Sequence, residues 1–95
     1  MNETEIIQAL ADGDDQALVV LYNLYSGKIY NTALSYTKIA EDAEEVTQDV
    51  MVKIYKNAST FKGESSLNTW IYRITVNTSL NYLKKKKRFT LFNND

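Results

Sequence analysis

Proline is absent from this chain, and glycine occurs only at positions 13, 27 and 63. These two residues stop helices and shape hairpin turns. With so few of them, a strand-and-turn fold has little to turn on, while helices meet few interruptions. A hydrophobic content of 44% argues against a disordered chain. It supports the modest core that one 95-residue domain can bury. The expectation is an all-α fold, a compact bundle of about four to five helices in a single domain.

Apolar spacing divides the chain further. Glu3–Ala11 reads as a short helix with Ile6, Ile7 and Leu10 on one side, ended by Asp12 and Gly13. Asp14 or Asp15 caps a second helix, whose Leu18, Leu21, Tyr22 and Tyr25 follow i, i+3, i+4, i+7. Ser26 and Gly27 are expected to end or interrupt it. A third segment, "KIYNTALSYTKI", sets Ile29, Ala33 and Tyr36 on one face, with Tyr30 and Leu34 beside it. A fourth helix begins at Glu41 and Asp42, acids suited to the positive end of a helix dipole, and carries Lys53 and Lys56 in its closing turns. Its apolar stripe is Ala43, Val46, Val50 and Ile54. "TFKGESS" is a turn, in which Ser65 or Ser66 caps a last helix running from about Leu67 into the lysines. The tail "FTLFNND" offers no cap or period.

Several kinds of chemistry are disfavoured. Cysteine and histidine are both absent, which removes disulfides, thiolate or imidazole metal sites and the commonest general base. Glu44 and Glu45 are adjacent and diverge on a helix, so they make no catalytic pair. The expectation is a non-enzyme without cofactor or metal. No 18-residue apolar run occurs and the N-terminus is acidic, so the reading is a cytoplasmic protein without membrane insertion.

The net charge of -1 conceals a strong asymmetry. Residues 1–50 hold ten acids and two bases, 2 - 10 = -8, whereas residues 51–95 hold nine bases and two acids, 9 - 2 = +7. The basic half is a candidate for a polyanion, the alternative being an inert dipolar surface. In the last helix Leu67, Ile71, Ile74 and Thr78 form one strip with Trp70 at its edge, and Tyr72, Val76, Leu80 and Leu83 form a second. Between them lie Arg73 and Asn77, with Thr69 and Asn81 at the margins and Lys84 and Arg88 continuing the track. Such a helix is expected to pack on two neighbours and keep a narrow polar edge. Arginine and asparagine can read base edges, and the terminal cations suit phosphates. Equally, Asn77 can be a packing amide and residues 84–88 a solvated helix end. Spacing alone leaves both readings open.

The order of the motifs carries more. "DAEEVTQDVMVKIYKNASTFKGESSLNTWIYRITVNTSLNYLKKKKR" closely resembles region 2 of bacterial sigma factors of the extracytoplasmic-function (ECF) group. The "VTQDV" and "TWIYRITVNTSLNYL" blocks are its specific parts, and "LYNLYSGKIYNTALSYT" resembles the preceding helices, so the likeness covers roughly residues 14–88. It implies that residues 14–60 dock on polymerase, through Glu45, Gln48 and Asp49 against the clamp helices of the largest RNA polymerase subunit. Residues 61–88 are implied to recognise the non-template strand of the promoter minus-ten element, leaving 1–13 as an N-terminal helix and 89–95 as a tail. Phe61, Lys62, Gly63, Ser65 and Ser66 match the loop, with Glu64, that captures a flipped base, and Asn77 matches the residue of its pocket. Arg73, Asn81, Lys84, Lys85 and Arg88 match DNA-facing positions, and Trp70 an aromatic near the upstream edge of melting.

The physics is compatible. Extruding a base costs a few kcal/mol, aromatic stacking returns roughly 1–3 kcal/mol per base, and cations add a salt-dependent phosphate term. Trp70 is followed by Ile71, and Leu67 stands where housekeeping sigma factors carry a further aromatic. Fewer wedges imply weaker intrinsic melting, as in the ECF group. The family's linker and helix-turn-helix domain for the minus-35 element do not follow the basic run, so the reading expects an excised domain, insufficient alone for normal promoter recognition. The resemblance also implies an anti-sigma factor as partner, and the competing reading is a helical module whose main use is binding one.

Overall fold

A computed structural model describes residues 1–93, of which the side chains of the last two are left aside. Among the described residues four helices make the bundle: α1 (Glu3–Ala11), α2 (Asp15–Thr37), α3 (Ala40–Asn57) and α4 (Leu67–Asn93), with a 3-10 turn, Ala58–Thr60, after α3. Residues 94 and 95, the end of the sequence's unplaced tail, lie outside the described residues. Among the described residues, no helix is long and apolar enough to cross a membrane.

Local chemistry fixes the starts. Asn2 accepts the Glu5 N–H at 2.8 Å, and the Glu5 carboxylate accepts the Asn2 N–H in return, a capping box for α1. Asp14 caps α2 through the Gln16 N–H at 2.9 Å. Ser66 is the cap of α4, its Oγ accepting the Thr69 N–H at 3.1 Å. Glu3 accepts the Leu67 N–H at 3.4 Å, tying the first helix to the beginning of the last.

The expected interruption at Ser26 and Gly27 does not occur, because α2 runs through both as one helix. A helical glycine costs only about 1 kcal/mol relative to alanine. Here Leu21 before it and Ile29 and Ala33 after it are all buried, and α2 packs on α3 and α4. Packing on both sides outweighs the weak point. A Cβ added at Gly27 meets nothing within 4 Å, and no positive φ holds the position. Gly27→Ala is therefore expected to stabilise the domain by about 0.5–1 kcal/mol, read as a rise in the midpoint of urea unfolding.

The stripe of α3 behaves as its spacing predicts: Ala43, Val46, Val50 and Ile54 are all fully buried. The helix α4 departs from its pattern. Of the second strip, Tyr72 and Leu80 are exposed, at 53% and 42%, and Val76 and Leu83 are half-buried. Thr75 and Ser79 are buried in their place, and Thr78 is buried as the first strip requires. Each of these hydroxyls donates to a carbonyl one turn back, of Ile71, Ile74 and Thr75, at 2.6–2.8 Å. The polar atoms are thereby satisfied within the helix itself. Their small size also lets α2 and α3 close on the axis of α4. The tail likewise continues α4 to Asn93, and the molecule is elongated to 51 × 23 × 22 Å.

Candidate nucleic-acid and polymerase interface

Between the 3-10 turn and α4, residues 61–66 form a loop that turns at Gly63, whose φ of 71° is one that side-chain-bearing residues rarely adopt. Phe61 closes back on Trp70, ring centroids 5.0 Å apart and planes tilted by 46°. Both rings are half-buried, so they line the surface instead of filling the core. They wall a hollow of about 190 Å³ together with Thr60, Lys62, Glu64, Ser65 and Arg73. Ser66 contributes differently, since its hydroxyl is engaged by the cap and by Thr69 Oγ1 at 2.9 Å.

Asn77 is exposed and does not line that hollow. It lines a second one, of about 310 Å³, on the other side of Trp70 and Thr60, with Lys53, Asn57, Ile74 and Thr78. Lys53 donates to Thr78 Oγ1 at 3.0 Å, and Asn57 donates to the Lys53 carbonyl at 2.8 Å. Trp70 is thus a partition with an aromatic wall on one side and an amide on the other. The contribution of Lys53 and Asn57 was hidden in the sequence, because it depends on how α3 crosses α4.

Down α4, Trp70, Arg73, Asn77, Asn81, Lys84 and Arg88 lie within about 40° of one line, and the row extends about 27 Å. Asn81 also faces a groove of about 450 Å³ between α3 and α4, shared with Glu45, Asp49, Lys53, Lys85 and Lys86. Lys84, Lys85 and Arg88 are exposed. Lys86 turns toward α3 and pairs with Asp42. Tyr82 donates to the same carboxylate at 2.6 Å and reaches Glu45 at 3.2 Å. Hydrogen bonds from Lys86 and Tyr82 hold the Asp42 carboxyl below its usual range, while the bond to Asp42 pushes the Tyr82 hydroxyl above its own. The sequence offers Asp42 only as a helix-dipole acid, and Tyr82 does not stand out in it.

Glu45, Gln48 and Asp49 are exposed on α3, opposite the buried Val46 and Val50. Gln48 and Glu44 rim an apolar groove of about 760 Å³ between α2 and α3, floored by Leu18, Val19, Tyr22, Tyr30 and Met51. Glu45 and Asp49 rim the α3–α4 groove instead. The three residues therefore sit on a ridge between two grooves.

Comparison with known proteins accords with this arrangement. The sigma-70 region 2 family matches residues 21–89. The ECF RNA polymerase sigma-E factor of Haemophilus influenzae is 32% identical over 88 residues, 93% of this chain and 46% of that protein. The sigma-H factor of Pseudomonas aeruginosa is 30% identical over 86 residues, 90% of this chain and 45% of the relative. The chain spans about half the length of these curated relatives. Among solved structures, an engineered region 2 of sigmaE in complex with GTAAAA superposes with a TM-score of 0.85 at 28% identity, covering 93% of this chain and 92% of the other. The chain belongs to the sigma-70 region 2 family, and its named relatives include sigma factors of the ECF group.

Proposed function

We propose that this domain recognises the non-template strand of a promoter minus-ten element while docked on the clamp helices of the largest RNA polymerase subunit, as a binding domain working in the cytoplasm and not as an enzyme. The row from Trp70 to Arg88 carries the proposal. It is uncharged or singly charged where bases would be read and strongly cationic where backbone would be held. The two hollows on either side of Trp70 lie beside that row. The GTAAAA bound by the engineered sigmaE region 2 supports the same choice of ligand. The direct test is titration of the domain with a single strand carrying GTAAAA and with its complement. A marked preference for the first supports the proposal, and equal affinity contradicts it.

The acidic ridge is read as the polymerase contact. Carboxylates beside an apolar groove suit a cationic, partly apolar helical partner, and complementary charge speeds encounter. Charge reversal by Glu45→Lys with Asp49→Lys is expected to slow association with core polymerase by about tenfold or more at low salt, converging as salt rises. Stopped-flow association at two ionic strengths checks it. An anti-sigma factor would use the same exposed surfaces, and measured competition between it and core polymerase for the ridge would test that partner.

A further inference from the structure

The five cations at residues 84–88 look interchangeable in the sequence, but they are not so in space. Lys84 and Arg88 extend the row of Asn77 and Asn81, whereas Lys86 points back to the bundle and pairs with Asp42, 44 residues earlier. The Asp42 side chain is only 13% exposed, and its other oxygen takes the Tyr82 hydroxyl at 2.6 Å. One carboxylate in the first turn of α3 thus receives two donors from successive turns of α4. Beyond Tyr82 and Leu83, residues 84–91 are all exposed. In a helix end that buries so little, an ion pair to the neighbouring helix weighs heavily on its direction.

We infer that Lys86 is a strut and not a phosphate ligand: with Tyr82 and Asp42 it fastens the projecting end of α4 to α3 and so aims Lys84 and Arg88 along the line of Asn77 and Asn81. These three are positioning residues, and the consequence for DNA rests on the promoter reading proposed above. A lysine committed to a mostly buried carboxylate would have to break that pair to reach a phosphate. Its neighbours have no such commitment to Asp42.

The test compares Lys86→Gln, Asp42→Ala, their double variant and Lys84→Gln in the 95-residue chain. Amide hydrogen exchange of residues 84–91 is measured without DNA, and binding to the GTAAAA strand is measured at several salt concentrations. A strut predicts faster exchange in both Lys86→Gln and Asp42→Ala, with no further increase in the double variant. It predicts a few-fold weaker binding in either, at an unchanged salt slope. Lys84→Gln should instead flatten the slope by about 0.7, the value for one phosphate left without its cation on a single strand. The inference is overturned if Lys86→Gln flattens the slope as much as Lys84→Gln does, or if Asp42→Ala tightens binding by releasing Lys86. It is also overturned if exchange is unchanged in both single variants. Should the unaltered chain bind no oligonucleotide, the promoter reading fails, while hydrogen exchange still decides the strut. Tyr82→Phe, which removes only the hydroxyl, serves should Asp42→Ala unfold the domain.

Discussion

Replacing Trp70 with alanine is expected to weaken binding to a minus-ten single strand roughly 5- to 150-fold, the equivalent of about 1–3 kcal/mol of base stacking. The reason lies in the position of the ring. It packs against Phe61 at 5.0 Å and forms a wall of both hollows, so its removal opens one into the other. Trp70→Phe should recover much of the affinity, since a phenyl face also stacks. Anisotropy titrations of the three proteins measure the effect, with circular dichroism reporting whether the bundle stays folded. A loss below about twofold in folded Trp70→Ala would remove the ring from the DNA contact.

The second large effect concerns the DNA backbone. Changing Lys84, Lys85 and Arg88 together to glutamine should lower affinity for every sequence alike. The slope of log K against log salt should flatten by about 2, taking one phosphate for each cation on a single strand. Between roughly 50 and 200 mM salt those three cations account for about a 20-fold change in affinity, which the triple variant should no longer show. Base preference should be retained, because phosphate contacts position the chain without reading sequence. A changed base preference would move at least one of these cations into base readout.

Much of the architecture is written in the sequence, and the failures have specific causes. The stripe Ala43, Val46, Val50 and Ile54 is legible because a helix with one buried face repeats its apolar residues every three or four positions. A serine cap at 65 or 66 is legible because such a hydroxyl meets the free N–H groups of the first turn, and the structure selects Ser66. Gly27 misled because its local helix penalty is small beside the burial of Leu21 and Ile29 on either side. The strip Tyr72, Val76, Leu80 and Leu83 misled in the other direction, because the smaller Thr75 and Ser79 take the buried positions, each hydroxyl satisfied within its own helix.

The candidate site divides in the same way. Residues along α4 fall into a row by helical geometry alone, so Arg73, Asn77 and Asn81 could be placed from spacing. That Phe61 meets Trp70, that Asn77 lies across Trp70 from the loop, and that Lys86 pairs with Asp42 all depend on how distant segments meet. No local pattern encodes them. The run of five cations was legible as charge, and only the fold shows that Lys86 among them pairs with Asp42 of α3.

Base reading by the polar row of α4 is tested most directly at Asn77. Binding of the unaltered domain and of Asn77→Ala is measured against a set of single strands differing at each position of the minus-ten element. Asn77→Ala is expected to lose discrimination at one position, by about 1–3 kcal/mol or roughly 5- to 150-fold against the wrong base. Preferences elsewhere, the salt slope and the thermal midpoint should stay as they were, since Asn77 is exposed and holds no part of the core. An equal loss of affinity across every strand, or no loss at all, would contradict base reading by this row and leave α4 as a cationic rod that binds backbone.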